Sequence, residues 1–172
     1  MLEGTTVNFR ALEEDDLKTL KKWRNNDSNR VHVREYRLLN MIHQKDWFEK
    51  IHKKNPSEFL MFGILDKKNL LIGVCGLTYI DWKNRNAEIS IILSKKNWQK
   101  SKQAIDTLNL LINYGFGELN MHRLWVEIFD NAPQNSSLFK KMHFIQEGIL
   151  REKLWRNGEW HNSTVFSLLS KR

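Results

Sequence analysis

Two prolines, eight glycines and a single cysteine in 172 residues leave little material for several kinds of protein. So few Pro and Gly exclude a collagen-like or low-complexity chain. The lone Cys75 has no partner for an internal disulfide. No stretch approaches the roughly 20 apolar residues of a membrane-spanning helix, and the longest apolar run, around Leu70–Leu77, is far shorter. The acidic start MLEGTTVNFRALEEDD lacks the apolar core of a secretory signal, so a cytoplasmic protein without a membrane partner is expected. The six histidines show no metal-ligand spacing and none pairs with Cys75, so no metal is expected. Cys75, on an apolar strand, reads as a core residue. No repeat or long linker interrupts the chain, so residues 1–172 are expected to form one domain.

What is present fits a folded core: 41% hydrophobic residues, with seven Trp and nine Phe. The net charge of +8 favours anionic partners such as nucleotides or phosphates, with nucleic acid a lesser option. Thr6–Arg10 alternates as a short strand. Leu12, Leu17, Leu20 and Trp23 recur at helical spacing, and acids fill the first turn, which predicts a helix over Glu14–Asn25. Asn26–Asn40 reads as irregular and basic; Asn40–Lys54 reads as a second helix stopped at Asn55-Pro56. Phe59–Leu65, Leu70–Ile80 and Ala87–Leu93 follow as three strands with short turns, an antiparallel meander. Ile105–Phe116 is a long amphipathic helix, His122–Phe129 a strand and Ser136–Met142 a short helix. Phe144–Trp155 and Thr164–Leu169 flank the Asn157-Gly158 turn, a hairpin signal. The order predicts a mixed α/β (α+β) sandwich whose central crossover sets the strand at His122 parallel to the one at Ala87.

The chemically informative junction is Ala87–Leu93, then SKKNWQKSKQ, then a helix beginning near Ser101. A strand feeding a helix N-terminus offers unpaired backbone N–H groups to an anion, and Lys95, Lys96, Lys100 and Lys102 add charge. A Lys-rich surface loop is the plainer reading of the same residues.

The order of elements resembles the GNAT superfamily, in the branch holding ribosomal-protein alanine, spermidine and amino-sugar acetyltransferases. The residues carrying the likeness are NFRALEEDD (Asn8–Asp16), LIGVCG (Leu71–Gly76), AEISI (Ala87–Ile91), YGFGELNMHRLWVE (Tyr114–Glu127), FIQEGILR (Phe144–Arg151) and NGEWH (Asn157–His161). The resemblance implies a mostly antiparallel sheet of about seven strands with a splayed parallel pair at Ala87–Leu93 and His122–Phe129, flanked by about four helices. It implies acetyl-CoA as acyl donor, a small-molecule amine as acceptor, and a chain that can form a homodimer. Relatives hold the CoA pyrophosphate with a Gln/Arg-x-x-Gly-x-Gly/Ala loop. Aligned to Lys96-Asn97-Trp98-Gln99-Lys100-Ser101, both glycine positions are replaced. Cofactor contacts implied in this way fall on Ile91, Leu93, Lys96, Gln99, Lys100, Ser101, Lys102 and Gln103. The pantetheine-binding Asn of the family falls on either Asn131 or Asn135, depending on the direction of counting. Phe139 stands where many relatives have a proton-donating Tyr, and His143 where a helix-capping Gly is usual.

Amine acetylation needs a base, a polarised carbonyl and a proton for the thiolate. Glu88 is the candidate base; Glu127 alternates with Leu124, Val126 and Ile128 and reads as the solvent face of its strand. Ser136 or Ser137 is the candidate proton relay, or else an N-cap. Arg24, Arg34, Tyr36 and Arg37 form a basic, aromatic wall suited to phosphate and base, which points to a nucleotide-linked amino sugar as acceptor. The competing expectations are a protein N-terminal or polyamine acetyltransferase, and a GNAT fold turned to binding RNA or protein.

Overall fold

A computed structural model describes residues 1–30, 33–53 and 56–171, so His32, the expected last helical residue Lys54 and Asn55 of the expected Asn55-Pro56 stop lie outside the described residues. Eight strands form one sheet in the order β1-β2-β3-β4-β5-β6-β8-β7. They are β1 Leu2–Glu3, β2 Val7–Ala11, β3 Leu60–Asp66, β4 Leu71–Asp81, β5 Asn86–Leu93, β6 Arg123–Phe129, β7 Ile145–Arg156 and β8 Glu159–Leu169. The eighth strand beyond the seven expected is β1, two residues long and too short to carry a periodic signal. The helices are α1 Leu17–Asn25, α2 Asp27–Arg30, α3 Met41–Lys53, α4 Lys102–Asn113 and α5 Pro133–Lys141. The single-turn α2 falls in the stretch expected to be irregular.

Every neighbouring pair of strands is antiparallel except β5 and β6, which run parallel as the crossover requires. Their ladder holds three register pairs, Asn86–Arg123, Ala87–Leu124 and Glu88–Trp125. Beyond Glu88 and Trp125 both strands continue, but their facing edges form no further ladder pairs.

Strand alternation sends successive side chains to opposite faces. Cys75, Leu77, Ile89, Leu93, Leu124, Val126 and Ile128 join Ala104, Leu108 and Leu111 of α4 in one apolar cluster. Val74 and Ile92 turn the other way and pack with Leu17, Leu20 and Ile51 of α1 and α3. Glu88 and Ser90 share the parity of Ile92, and Glu127 alternates with Val126 and Ile128, so these polar side chains belong to the α1/α3 face. Cys75 is fully buried, and burial pushes its thiol pKa well up, as suits a core residue.

The helix ends follow local chemistry. Arg10 forks onto Asp16 at 2.7 and 2.8 Å, and Asp16 accepts the Glu13 N–H at 2.9 Å, closing a capping box ahead of α1. Ser101 caps α4 by accepting the Ala104 N–H at 3.1 Å. His143 adopts φ 64°, the left-handed geometry that explains why glycine is usual after such a helix. Pro133 opens α5 at its first turn, so the expected N-cap duty of Ser136 or Ser137 is corrected: both lie inside the helix.

Asp106 of α4 ties down the chain entering β2. Its carboxylate accepts the N–H groups of Thr5, Thr6 and Val7 at 3.2, 2.5 and 3.0 Å and the Thr6 hydroxyl at 3.0 Å. Burial pulls this carboxyl upward, but the donors of Thr6, Thr5 and Val7 outweigh it and hold its pKa below the ordinary value. The Asp106 contribution is therefore complete at neutral pH and is lost as pH falls through the lowered folded-state pKa. Asp106→Ala should cost about 2 kcal/mol at pH 7 in urea denaturation, and the difference from wild type should shrink in strong acid. A pH-independent difference would refute this account.

Candidate active site

A cleft of about 820 Å³ opens on the α1/α3 face and runs to the gap between β5 and β6. Its walls come from α1 and α3 on one side, from residues 33–39 above, and from Trp98, Asn135 and Phe139 at the far end. At its centre two carboxylates meet. Glu88, 5% exposed, projects from β5 at the last ladder pair, and Glu127 projects from β6 two residues past it. The Glu127 side chain is only 6% exposed, which corrects the expectation that it faces solvent.

Arg34 bridges the two. Its Nη1 and Nη2 donate to the Glu88 oxygens at 2.8 and 2.6 Å. Nη2 and Nε donate to Glu127 Oε2 at 2.5 and 3.2 Å. The other Glu127 oxygen accepts the Ser163 hydroxyl of β8 at 2.6 Å. Burial pulls the Glu127 carboxyl upward, but Ser163 and Arg34 outweigh it and its pKa falls below the ordinary range. Burial opposes the Arg34 charge, yet Glu88 and Glu127 hold it protonated beyond the ordinary arginine value. The outer side of the guanidinium lies 5.8 Å from the Tyr79 ring centre. Tyr79 sits at φ 49° where the β4–β5 register shifts, a bulge that turns its ring toward the cleft.

The arginine wall expected from residues 24–37 is thus divided among different tasks. Arg34 serves the two carboxylates. Arg37 forks onto Glu35 at 2.9 and 2.8 Å, and this guanidinium holds the Glu35 carboxyl down at about 2. Tyr36 is 69% exposed, although it borders the cleft. Arg24 also lines the cleft; burial lowers its pKa while Glu35 opposes, and its buried Nε has no hydrogen-bond partner among the described residues.

At the far end Gln99 donates to Asn135 at 2.7 Å, joining the turn Trp98–Lys100 to α5 across the gap between the strands. Asn135 lines the cleft, as does Ile91. Asn131 lies in the turn before α5 and is not among the residues lining the cleft. Leu93 points into the α4 cluster, so of its atoms the backbone alone remains available at the strand end. Lys96, Lys100 and Lys102 are exposed and Gln103 half-buried around the α4 N-terminus. Neither candidate proton relay reaches the cleft: Ser137 is exposed and donates to the Pro133 carbonyl at 3.3 Å, and Ser136 does not line it. Phe139 does line it, packed edge-on against Phe144 at 5.1 Å, and carries no hydroxyl. Ser163 and Tyr79 had no local signal in the sequence; they are brought to the site by strand pairing and a bulge.

The cleft thus brings two acidic groups beside the gap in a parallel strand pair, with the N-terminus of α4 near one end. Residues 6–145 match the family described as acetyltransferase (GNAT) domain, and the chain belongs to that family. It is an acetyl-CoA-dependent N-acetyltransferase in class. It is 26% identical to the spermidine N(1)-acetyltransferase of Vibrio cholerae serotype O1 over 98% of this chain and 96% of that protein. It is 29% identical to the uncharacterized N-acetyltransferase YoaA of Bacillus subtilis, where the match spans 59% of this chain and 57% of YoaA. The fold is similar to the crystal structure of the Vibrio cholerae spermidine N-acetyltransferase in complex with CoA and spermine. That likeness has a TM-score of 0.86 at 25% identity and covers 95% of each chain.

Asn135→Ala should leave the Gln99 amide with both polar atoms unpaired, since its oxygen is already buried without a donor. We expect a loss of about 1–2 kcal/mol in urea denaturation. An unchanged midpoint would show that the bridge carries no weight.

Proposed function

We propose that this chain acetylates a cationic primary amine of the polyamine class, received by Glu88 and Glu127. The observation carrying this reading is the convergence of two buried carboxylates at the point where β5 and β6 part. Two anions so placed favour a positive ligand. The relatives named as spermidine acetyltransferases, matched over nearly the whole chain, support the same acceptor class.

The acyl donor is read at the α4 end. The pyrophosphate-loop pattern fits better when begun at Gln99, giving Gln99-Lys100-Ser101-Lys102-Gln103-Ala104. In this register the final small position is Ala104, fully buried in the first turn of α4, and a single glycine position is replaced, by Lys102. The N–H groups of Lys102 and Gln103 have no intrahelical partners and point to where an anion is stabilised. Acetyl-CoA held there would lay its acyl arm along the gap toward Glu88.

In the reaction, the ammonium gives a proton to a cleft carboxylate, directly or through water. The freed nitrogen attacks the thioester carbonyl carbon and sheds a second proton; the C–N bond forms, the C–S bond breaks, and the thiolate takes up one of the two protons. The sum is an amide, the CoA thiol and one proton released. Phe139 supplies no hydroxyl, so the proton reaches the thiolate from another donor: the protonated cleft carboxylate, water or a tyrosine of the cleft.

One observation favours a second reading. Arg24 lines the same cleft as a buried guanidinium and makes no salt bridge among the described residues. An acceptor carrying both an amine and an anionic group, such as a nucleotide-linked amino sugar, would use it.

Acetyl-CoA at about 100 times its Kd should raise Tm by about 5–10 °C, and thiol release should then follow addition of spermidine but not of UDP-linked amino sugars. Glu88→Gln and Glu127→Gln should each lower kcat/KM for the amine about 100-fold while leaving the acetyl-CoA shift intact. Thiol release confined to the nucleotide sugars would overturn the polyamine reading in favour of the second. No shift with acetyl-CoA would remove both.

A further inference from the structure

Arg34 is placed unlike an ordinary structural ion-pair partner. The two carboxylates are inside, each side chain 6% exposed, while the guanidinium that caps them is 40% exposed. It reaches them from residues 33–39, outside the sheet, and occupies oxygens of both carboxylates. The main chain on either side of it is tied down, at Val33, whose carbonyl accepts from Arg156 at 2.8 Å, and at Leu39, which exchanges two 2.8 Å hydrogen bonds with the Asn25 amide. The guanidinium is already in contact with the exposed Tyr79 ring at the mouth of the cleft, so swinging off the carboxylates need not cost that contact. One guanidinium is thus shared between two carboxylates.

From this geometry we propose that Arg34 occupies the acceptor's ammonium subsite in the unliganded enzyme, and that the acceptor enters by exchanging with it. Arg34 is then an internal competitor for the acceptor, displaced by whichever amine enters. A tethered guanidinium also lowers the fraction of open sites, so every amine binds more weakly than the carboxylates alone would allow. This inference rests on the reading that the amine is received at Glu88 and Glu127.

The test compares steady-state kinetics of wild type, Arg34→Met and Arg34→Lys with spermidine and with butylamine, adding guanidinium chloride as a competitor at constant ionic strength. Arg34→Met should lower KM for both amines by the same factor, about tenfold, with kcat nearly unchanged. Guanidinium should inhibit this variant competitively against the amine and leave wild type unaffected. Arg34→Lys, which keeps a charge but loses the fork, should lie between the two and serves if the Met variant folds poorly. A KM that rises or stays fixed in both variants, or a fall confined to kcat, would overturn the proposal and make Arg34 a structural or orienting group. Arg34-independent failure is visible separately: if Glu88→Gln leaves the amine KM untouched, the acceptor reading itself is wrong and this inference falls with it.

Discussion

The site depends on the early parting of two parallel strands. Three register pairs hold β5 to β6, and after Glu88 and Trp125 the facing edges are released. Pairing along their other edges, to β4 and β8, keeps both strands in the sheet, while the backbone groups facing the gap are left without ladder partners and available to a ligand. The cleft, the meeting of Glu88 with Glu127, and the slot that ends at Asn135 all follow from that separation. Were the ladder to continue, β5 and β6 would close against each other and the cleft would lose its inner end.

Around this gap the two faces of the sheet do different work. The α4 face is apolar and closely packed, with Leu108, Leu111 and Leu124 fully buried, and gives the strands a rigid backing. The α1/α3 face has a smaller apolar cluster and gives way to charge at the cleft. Alternation along β5 and β6 assigns each residue to one face or the other, so the same strands supply both the packed core and the two cleft carboxylates. The Asp106 anchor shows the same economy, with α4 holding the entry to β2 while packing the core.

Most of the architecture was legible because its signals are local. Strand alternation, the helical spacing of Leu12, Leu17 and Leu20, and the Asn157-Gly158 turn each reported their own element. β1 and α2 were too short to carry a period. Glu127 was misread for a different reason: alternation shows that a residue opposes the apolar face, but not that residues 33–39 will cover the other face. Arg34 was seen as a binding residue, yet its partners lie 54 and 93 positions away in the chain, a distance at which sequence carries no pairing signal. The serines failed because Pro133 moved the helix start upstream, which turned a capping position into a helix interior.

Tyr79 bears a further consequence. A non-glycine residue at φ 49° carries a conformational cost of about 1–2 kcal/mol, and a bulge keeps it there beside the cleft. Glycine or asparagine would relax the backbone at that point and remove the ring from the mouth of the site. The tyrosine is thus a position where backbone comfort and the contact with Arg34 compete for one residue. A lineage selected for heat resistance alone would drift away from it, and one that needs the ring at the cleft mouth would keep the strain.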